Sequence, residues 1–157
     1  MADLISDGYT RVTWVTTISN IAAPTTGELN GGVALESFIT PDGLDITPST
    51  ASVDTSNVAS TFSTNTVGRR GYEINVTMKN QGFSAAPWTT LPYGTVGYLA
   101  VRRNNLAGAA WASAQKVEIY PCTTGEAQIN KPAANEVQKF TVPMMVTSDP
   151  APRSAVA

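Results

Sequence analysis

Tyr72-Glu73-Ile74-Asn75-Val76-Thr77-Met78-Lys79 alternates without interruption between large apolar and polar side chains. A two-residue period puts Tyr72, Ile74, Val76 and Met78 on one face of a strand and Glu73, Asn75, Thr77 and Lys79 on the other. One face is dry and the other wet. As a helix, the same residues would scatter their apolar side chains around the axis. The chain around this strand has 157 residues, 42% of them hydrophobic and 14% charged, enough apolar material for one core without disulfides. The composition, with β-branched Thr and Val prominent, predicts a single mainly β domain over residues 1–157.

Immediately upstream, residues 49–68 are rich in Ser, Thr, Ala and Asn, with Val53, Val58, Phe62 and Val67 as the apolar residues and Asp54 as the charged one. So little apolar surface offsets little of the ordering entropy, and a long mobile loop is expected. Loops of this length in a compact domain are commonly committed to binding, which makes Val53, Asp54, Val58, Phe62 and Val67 candidate contact residues. Further upstream, Val33–Ile39 reads as a strand closed by a turn at Pro41-Asp42-Gly43. Leu44 and Ile46 continue past that turn until Pro48, so a hairpin is expected over Val33–Thr47. Thr10–Ile18 alternates as a first strand, with Val12, Trp14 and Ile18 on one side. Pro24 and Gly27 break the chain after it.

Downstream, Ser84 is placed to cap one short helix containing Pro87, Trp88 and Leu91, ended by Pro92 and Gly94. Val96–Val101 is apolar on both faces, as in a strand covered on both sides, and Arg102-Arg103-Asn104-Asn105 reads as its exit to water. A small-residue loop around Trp111 leads to a strand from Lys116 to Tyr120. The last strand carries Phe140, Val142, Met144 and Val146 on one face, with Pro143 implying an edge or a bulge. Residues 148–157, with Pro150 and Pro152, are expected to form a loose tail.

Catalytic chemistry finds few candidates. With no histidine, an imidazole base or a His-ligated metal has no residue to build on. Cys122 is the only cysteine, which rules out an internal disulfide or a thiolate cluster and reads as an inert thiol. Asp42 and Asp45 could be a carboxylate pair, but Asp is common beside a Gly turn for conformational reasons. No Gly-rich phosphate loop is present, and Arg69-Arg70 and Arg102-Arg103 read as edge-protecting residues. No enzyme activity, cofactor or metal is expected. No basic, apolar leader precedes the domain and no apolar run is long enough to span a membrane, so a protein made soluble in a cytoplasm is expected.

Charge is uneven. Between Arg11 and Arg69 there is no basic residue, while Glu28, Glu36, Asp42, Asp45 and Asp54 all fall in that gap. Basic residues elsewhere are interleaved with acids, against a conventional nucleic-acid-binding surface.

The stretch Ala23-Pro24-Thr25-Thr26-Gly27-Glu28-Leu29-Asn30-Gly31-Gly32 resembles the opening of major tail tube proteins of long-tailed, siphovirus-type phages of actinobacteria. The similarity continues through Asp42-Gly43, Val53–Thr64, Gly97-Tyr98-Leu99-Ala100-Val101-Arg102-Arg103, Lys116–Pro121 and Asn135–Val142, departing at the Ala107–Ala114 insert. The resemblance implies a β-sandwich or partial barrel with one short flanking helix. It also implies hexameric rings whose sheets join into an inner β-barrel and stack into the virion's tail tube. Partners would be the chain itself, the tape-measure protein, the tail terminator and tail-tip proteins. Double-stranded DNA would pass through the lumen unbound, for which acidic lining is favourable and Lys/Arg contacts are not. On that basis Glu36, Asp42 and Asp45 are candidate lumen-facing charges, and the 49–68 loop is a candidate contact between rings. Two other readings stay open on the sequence. One is a carbohydrate-binding β-sandwich using Trp14, Trp88 and Trp111. The other is a different virion ring protein, such as a terminator or head-decoration protein.

Overall fold

The computed structural model describes residues 1–157. Its elements in chain order are β1 (Arg11–Val15), α1 (Thr26–Asn30), β2 (Val33–Ala34), β3 (Ile39–Asp54), β4 (Asn65–Lys79), α2 (Ala86–Thr90), β5 (Val96–Arg102), β6 (Lys116–Thr124), β7 (Gln128–Ile129), β8 (Lys139–Val146) and β9 (Ala151–Ala155). All pairings are antiparallel, in the order β2-β1-β5-β6-β8-β4-β3, with β7 added to β8 and β9 to β6.

The alternation in Tyr72–Lys79 sets the first core. Ile74, Val76 and Met78 lie opposite Met144, Val142 and Phe140 of β8, and all six are buried. They pack against Val12, Trp14, Leu99, Val101, Tyr120 and Cys122, so the sheet bends over on itself into a sandwich-like arrangement. β8 joins the two halves: along one side Lys139–Met145 pairs with β4, and along the other β7 pairs at Phe140–Thr141 and Cys122–Thr124 of β6 at Met144–Val146. Pro143, expected at an edge or bulge, sits at this junction. Its carbonyl accepts from Gly125 N at 2.7 Å, between the β7 and β6 pairings, where no ladder N–H is needed. The other face of β1, β5 and β6 carries a second core of Val15, Ala100, Val117 and Ile119, covered by Leu29 of α1, Trp111 and Val156. β1 is therefore buried on both faces, Thr13 and Val15 included, and so is more enclosed than its alternation predicts.

Several expected boundaries are corrected. Half of residues 49–68 are strand: β3 and β4 pair through Asp54↔Asn65, and residues 55–64 connect them. The Asp42-Gly43 turn is an irregularity inside β3, between Ile39↔Met78 and Leu44↔Val76. A Cβ on Gly43 would lie 2.3 Å from Thr77 O, so only glycine lets β3 approach β4 there. The expected Val33–Thr47 hairpin is absent, since Val33–Ala34 pairs with β1. The tail is also ordered: β9 pairs with β6, Ser154 Oγ donates to Ile21 O at 2.7 Å, and Val156 is buried. There are two short helices, not one, and the N-cap of α2 is Ala85 without a side-chain bond, not Ser84. α1 arises from a capping box: Glu28 N donates to Thr25 Oγ1 and Thr25 N donates to Glu28 Oε2.

Arg102 is no exit to water, since it is fully buried at the end of β5. Its Nη1 donates to Ala110 O at 3.1 Å and Gln115 Oε1 at 2.8 Å, and its Nη2 to Leu106 O and Ala109 O at 2.8 Å each. The guanidinium lies 5.0 Å from the Trp111 ring centroid. Burial, then the neighbouring Arg11, lower its pKa, and Glu36 opposes them. The Ala107–Ala114 insert is thus wrapped around one buried cation and tied to α1 through paired bonds between Asn30 and Trp111.

Candidate assembly surface

The sheet β3-β4-β8-β7 has one covered face and one open face. Cross-strand register places Asp45, Asn75 and Pro143 in one row of the open face, Thr47, Glu73 and Met145 in the next, and Lys79 opposite Lys139 at its end. Asp45 accepts from Thr47 Oγ1 at 2.7 Å and Asn75 Nδ2 donates to Glu73 Oε1 at 3.3 Å, so the carboxylates are held along the strands. Thr77 and Thr141 hydroxyls bridge the two strands at 3.0 Å. Of the sequence-predicted charges, Asp42 and Asp45 lie on β3 and are exposed. Glu36 does not join them: it follows β2, has a side chain only 20% exposed, and stands 4.0 Å from Arg11 Nε. Glu73, on the same open face as Asp45, was not singled out. Its place in the wet half of the Tyr72–Lys79 alternation was the available signal.

One limit of this sheet is a long free edge, and the side of β8 away from β4 is only partly covered by β7 before β6 takes over. β3, sixteen residues long, has β4 as its only neighbour, and the two-residue β7 lies on the far side of β8. A long unpaired edge is a template for another strand.

Beyond Glu73↔Met145, β3 and β4 leave the body as a two-stranded ribbon. Ser49–Asp54 alone reaches roughly 20 Å, and an isolated ribbon of this kind is marginal in water. Val53 (49%), Val58 (108%), Phe62 (78%) and Val67 (79%) are all exposed on it. The tip is nonetheless internally bonded: Thr55 N donates to Thr64 O, Thr64 N to Ser56 Oγ, and Ser56 N to Asp54 Oδ1. The Ser56 bonds hold the Asp54 carboxyl below its ordinary pKa. At the ribbon base, Arg70 pairs with Asp149.

The three tryptophans form no common platform. Trp14 and Trp111 are buried in different cores, Trp111 donating from Nε1 to Thr13 Oγ1, and Trp88 packs edge-on against Phe140. No group of three His, Cys, Asp or Glu side chains is placed to hold a metal ion. No helix is long and apolar enough to cross a membrane.

None of the curated proteins matches the chain. Among solved structures, a chain of the six-fold symmetrised cryo-EM structure of the anti-feeding prophage (AFP) baseplate is similar over 98% of both chains. The TM-score is 0.59 and the identity 12%. The fold is therefore shared with that baseplate chain. The family model described as phage tail tube protein matches residues 1–157, and the chain belongs to that family of structural proteins of the phage tail.

Proposed function

We propose that the chain assembles into hexameric rings that stack into the tail tube, the conduit through which genomic DNA leaves the virion, and that it does so without catalysis. The observation that carries this reading is the open sheet with a long free edge. β3 of one copy can pair with the β7 side of the next and close a barrel, which covers the long β3 edge. Six-fold closure is supported by the symmetry of the assembly that holds the similar baseplate chain. In that arrangement the polar open face lines the lumen. Asp45 and Glu73, with Asp42 at the rim, repel the phosphate backbone, and Lys79 and Lys139 sit at one end only. Glu36, turned toward Arg11, contributes to folding more than to the lumen. The tape-measure protein would occupy the lumen before DNA, with terminator and tip proteins at the tube ends.

Negative-stain microscopy and light scattering of the purified chain test this reading. Rings and hollow tubes are expected. A wild-type chain that stays monomeric at high concentration across a range of salt would refute it. A variant with residues 51–69 replaced by Asn-Gly, which joins the Thr50↔Arg70 pair by a two-residue turn, should fold and fail to form tubes.

A further inference from the structure

The ribbon and α2 lie at opposite ends of β4. The ribbon precedes Gly71, and α2 packs beyond Lys79 through Trp88 on Phe140, the partner of Met78. The separation along the strand is about 27 Å. At the α2 end a cleft of about 160 Å³ is lined by Trp88, Leu91, Tyr93, Glu126, Ala127 and Phe140. By volume such a cleft is large enough to hold a benzene ring, as a cavity of roughly 150 Å³ is. Of the exposed aromatic rings, Tyr9, Phe62, Phe83 and Tyr93, only Phe62 stands on the projecting ribbon. Of four phenylalanines, Phe140 is buried, Phe38 packs on the core, Phe83 stacks edge-on against Trp88, and Phe62 stands exposed at the ribbon tip.

We propose that Phe62 of one copy inserts into the Trp88–Phe140 cleft of the copy in the next ring, an aromatic plug and socket that stacks the rings. The inference rests on the ring reading above and adds to it the residues that join ring to ring. In a barrel the strands tilt by about 35–45° from the axis, so the two ends of β4 face opposite sides of the ring. A plug at one end and a socket at the other form a heterologous contact, which repeats without closing and builds a filament. Bonds among Asp54, Thr55, Ser56 and Thr64 close the base of the tip, which limits the entropy lost when Phe62 docks.

The test uses full-length chain under conditions where wild type forms tubes. Phe62→Ser changes only an exposed residue and should leave the circular dichroism and thermal melt unchanged. It should raise the critical concentration for stacking by roughly ten- to a hundred-fold, the effect of leaving one phenyl ring unburied. Ala127→Trp fills the socket from the other side and should do the same. Phe62→Cys combined with Glu126→Cys should give, on oxidation of assembled tubes, a ladder of covalent oligomers running past the hexamer. A ladder that stops at the hexamer would place the plug within the ring and overturn the proposal. So would normal tubes from Phe62→Ser with no cross-link, and in both cases the ring reading would stand. A wild-type chain that forms no rings would overturn both together.

Discussion

Replacing Arg102 by alanine removes the one fully buried charge and with it four hydrogen bonds, to Leu106 O, Ala109 O, Ala110 O and Gln115 Oε1. Three of these acceptors keep a partner: Leu106 O from Ala109 N, Ala109 O from Arg11, and Gln115 Oε1 from Ala112 N. Only Ala110 O is left bare, so a low value of about 1 kcal/mol per lost bond applies, giving about 4 kcal/mol. For a chain of this size each kcal/mol lowers Tm by roughly 3 °C, so Arg102→Ala should melt roughly 12 °C below wild type. Arg103→Ala is the control. Its partner Glu118 lies 3.1 Å away with the Arg103 side chain 49% exposed, and such pairs contribute under about 1 kcal/mol. Calorimetry below the assembly concentration measures both. An Arg102→Ala variant melting within about 3 °C of wild type, or an Arg103→Ala variant falling as far, would refute the assignment of Arg102 as the buried post of the Ala107–Ala114 loop.

Three further outcomes follow from the fold. The Glu28 carboxyl, bonded by the backbone N–H groups of Thr25 and Ser19, is held down to about 2 from an ordinary 4.5. A depressed folded pKa stabilises above the ordinary value and is lost as pH falls through the lower one, so acid titration should release α1 between about pH 4.5 and 2, and Glu28→Gln should remove that component. The Cys122 thiol, pushed up to about 12 by burial, should resist alkylation at neutral pH until the chain is unfolded; rapid labelling of the native protein would contradict this. Gly43→Ala should cost about 1–3 kcal/mol in chemical denaturation because its Cβ meets the Thr77 carbonyl, whereas Gly108→Ala, with open space around it, should cost far less.

Where burial imposes a period, the sequence was legible. The Tyr72–Lys79 alternation, the two-sided Val96–Val101 strand and the Phe140–Val146 face all became core strands at the expected places. The ribbon was not legible, because both of its faces are wet in the isolated chain and nothing forces apolar residues into alternation. Its Thr- and Val-rich composition was the residual strand signal. α1 was obscured by Pro24 and Gly27, read as breakers, although Thr25-Thr26-Gly27-Glu28 has the spacing of a capping box. Arg102 was taken for a surface residue because a buried guanidinium depends on carbonyls from a loop whose path the sequence does not reveal. Among candidate lumen charges, strand position brought Asp42 and Asp45 together, and a short connection turned Glu36 away.

The composition of β3 also bears on which partner its free edge accepts. Ile39–Asp54 contains Asp42, Asp45 and Asp54 and no Lys or Arg. Two β3 edges meeting antiparallel would bring like charges from both copies together, and such juxtapositions are destabilising. Pro48, tolerated because β3 is paired on one side only, removes an N–H from the ladder and restricts the registers an added strand can take. Self-pairing into a two-fold dimer is thereby disfavoured twice. The opposite edge is different: Lys131 follows β7, and Lys139, though paired with Glu136 at 3.3 Å, begins the strand behind it. An acidic edge that rejects its own kind and a short edge flanked by lysines favour head-to-tail pairing. Head-to-tail contacts either close into a ring or run on as a helix. In the proposed ring, the twist carried through the antiparallel sheet favours closure.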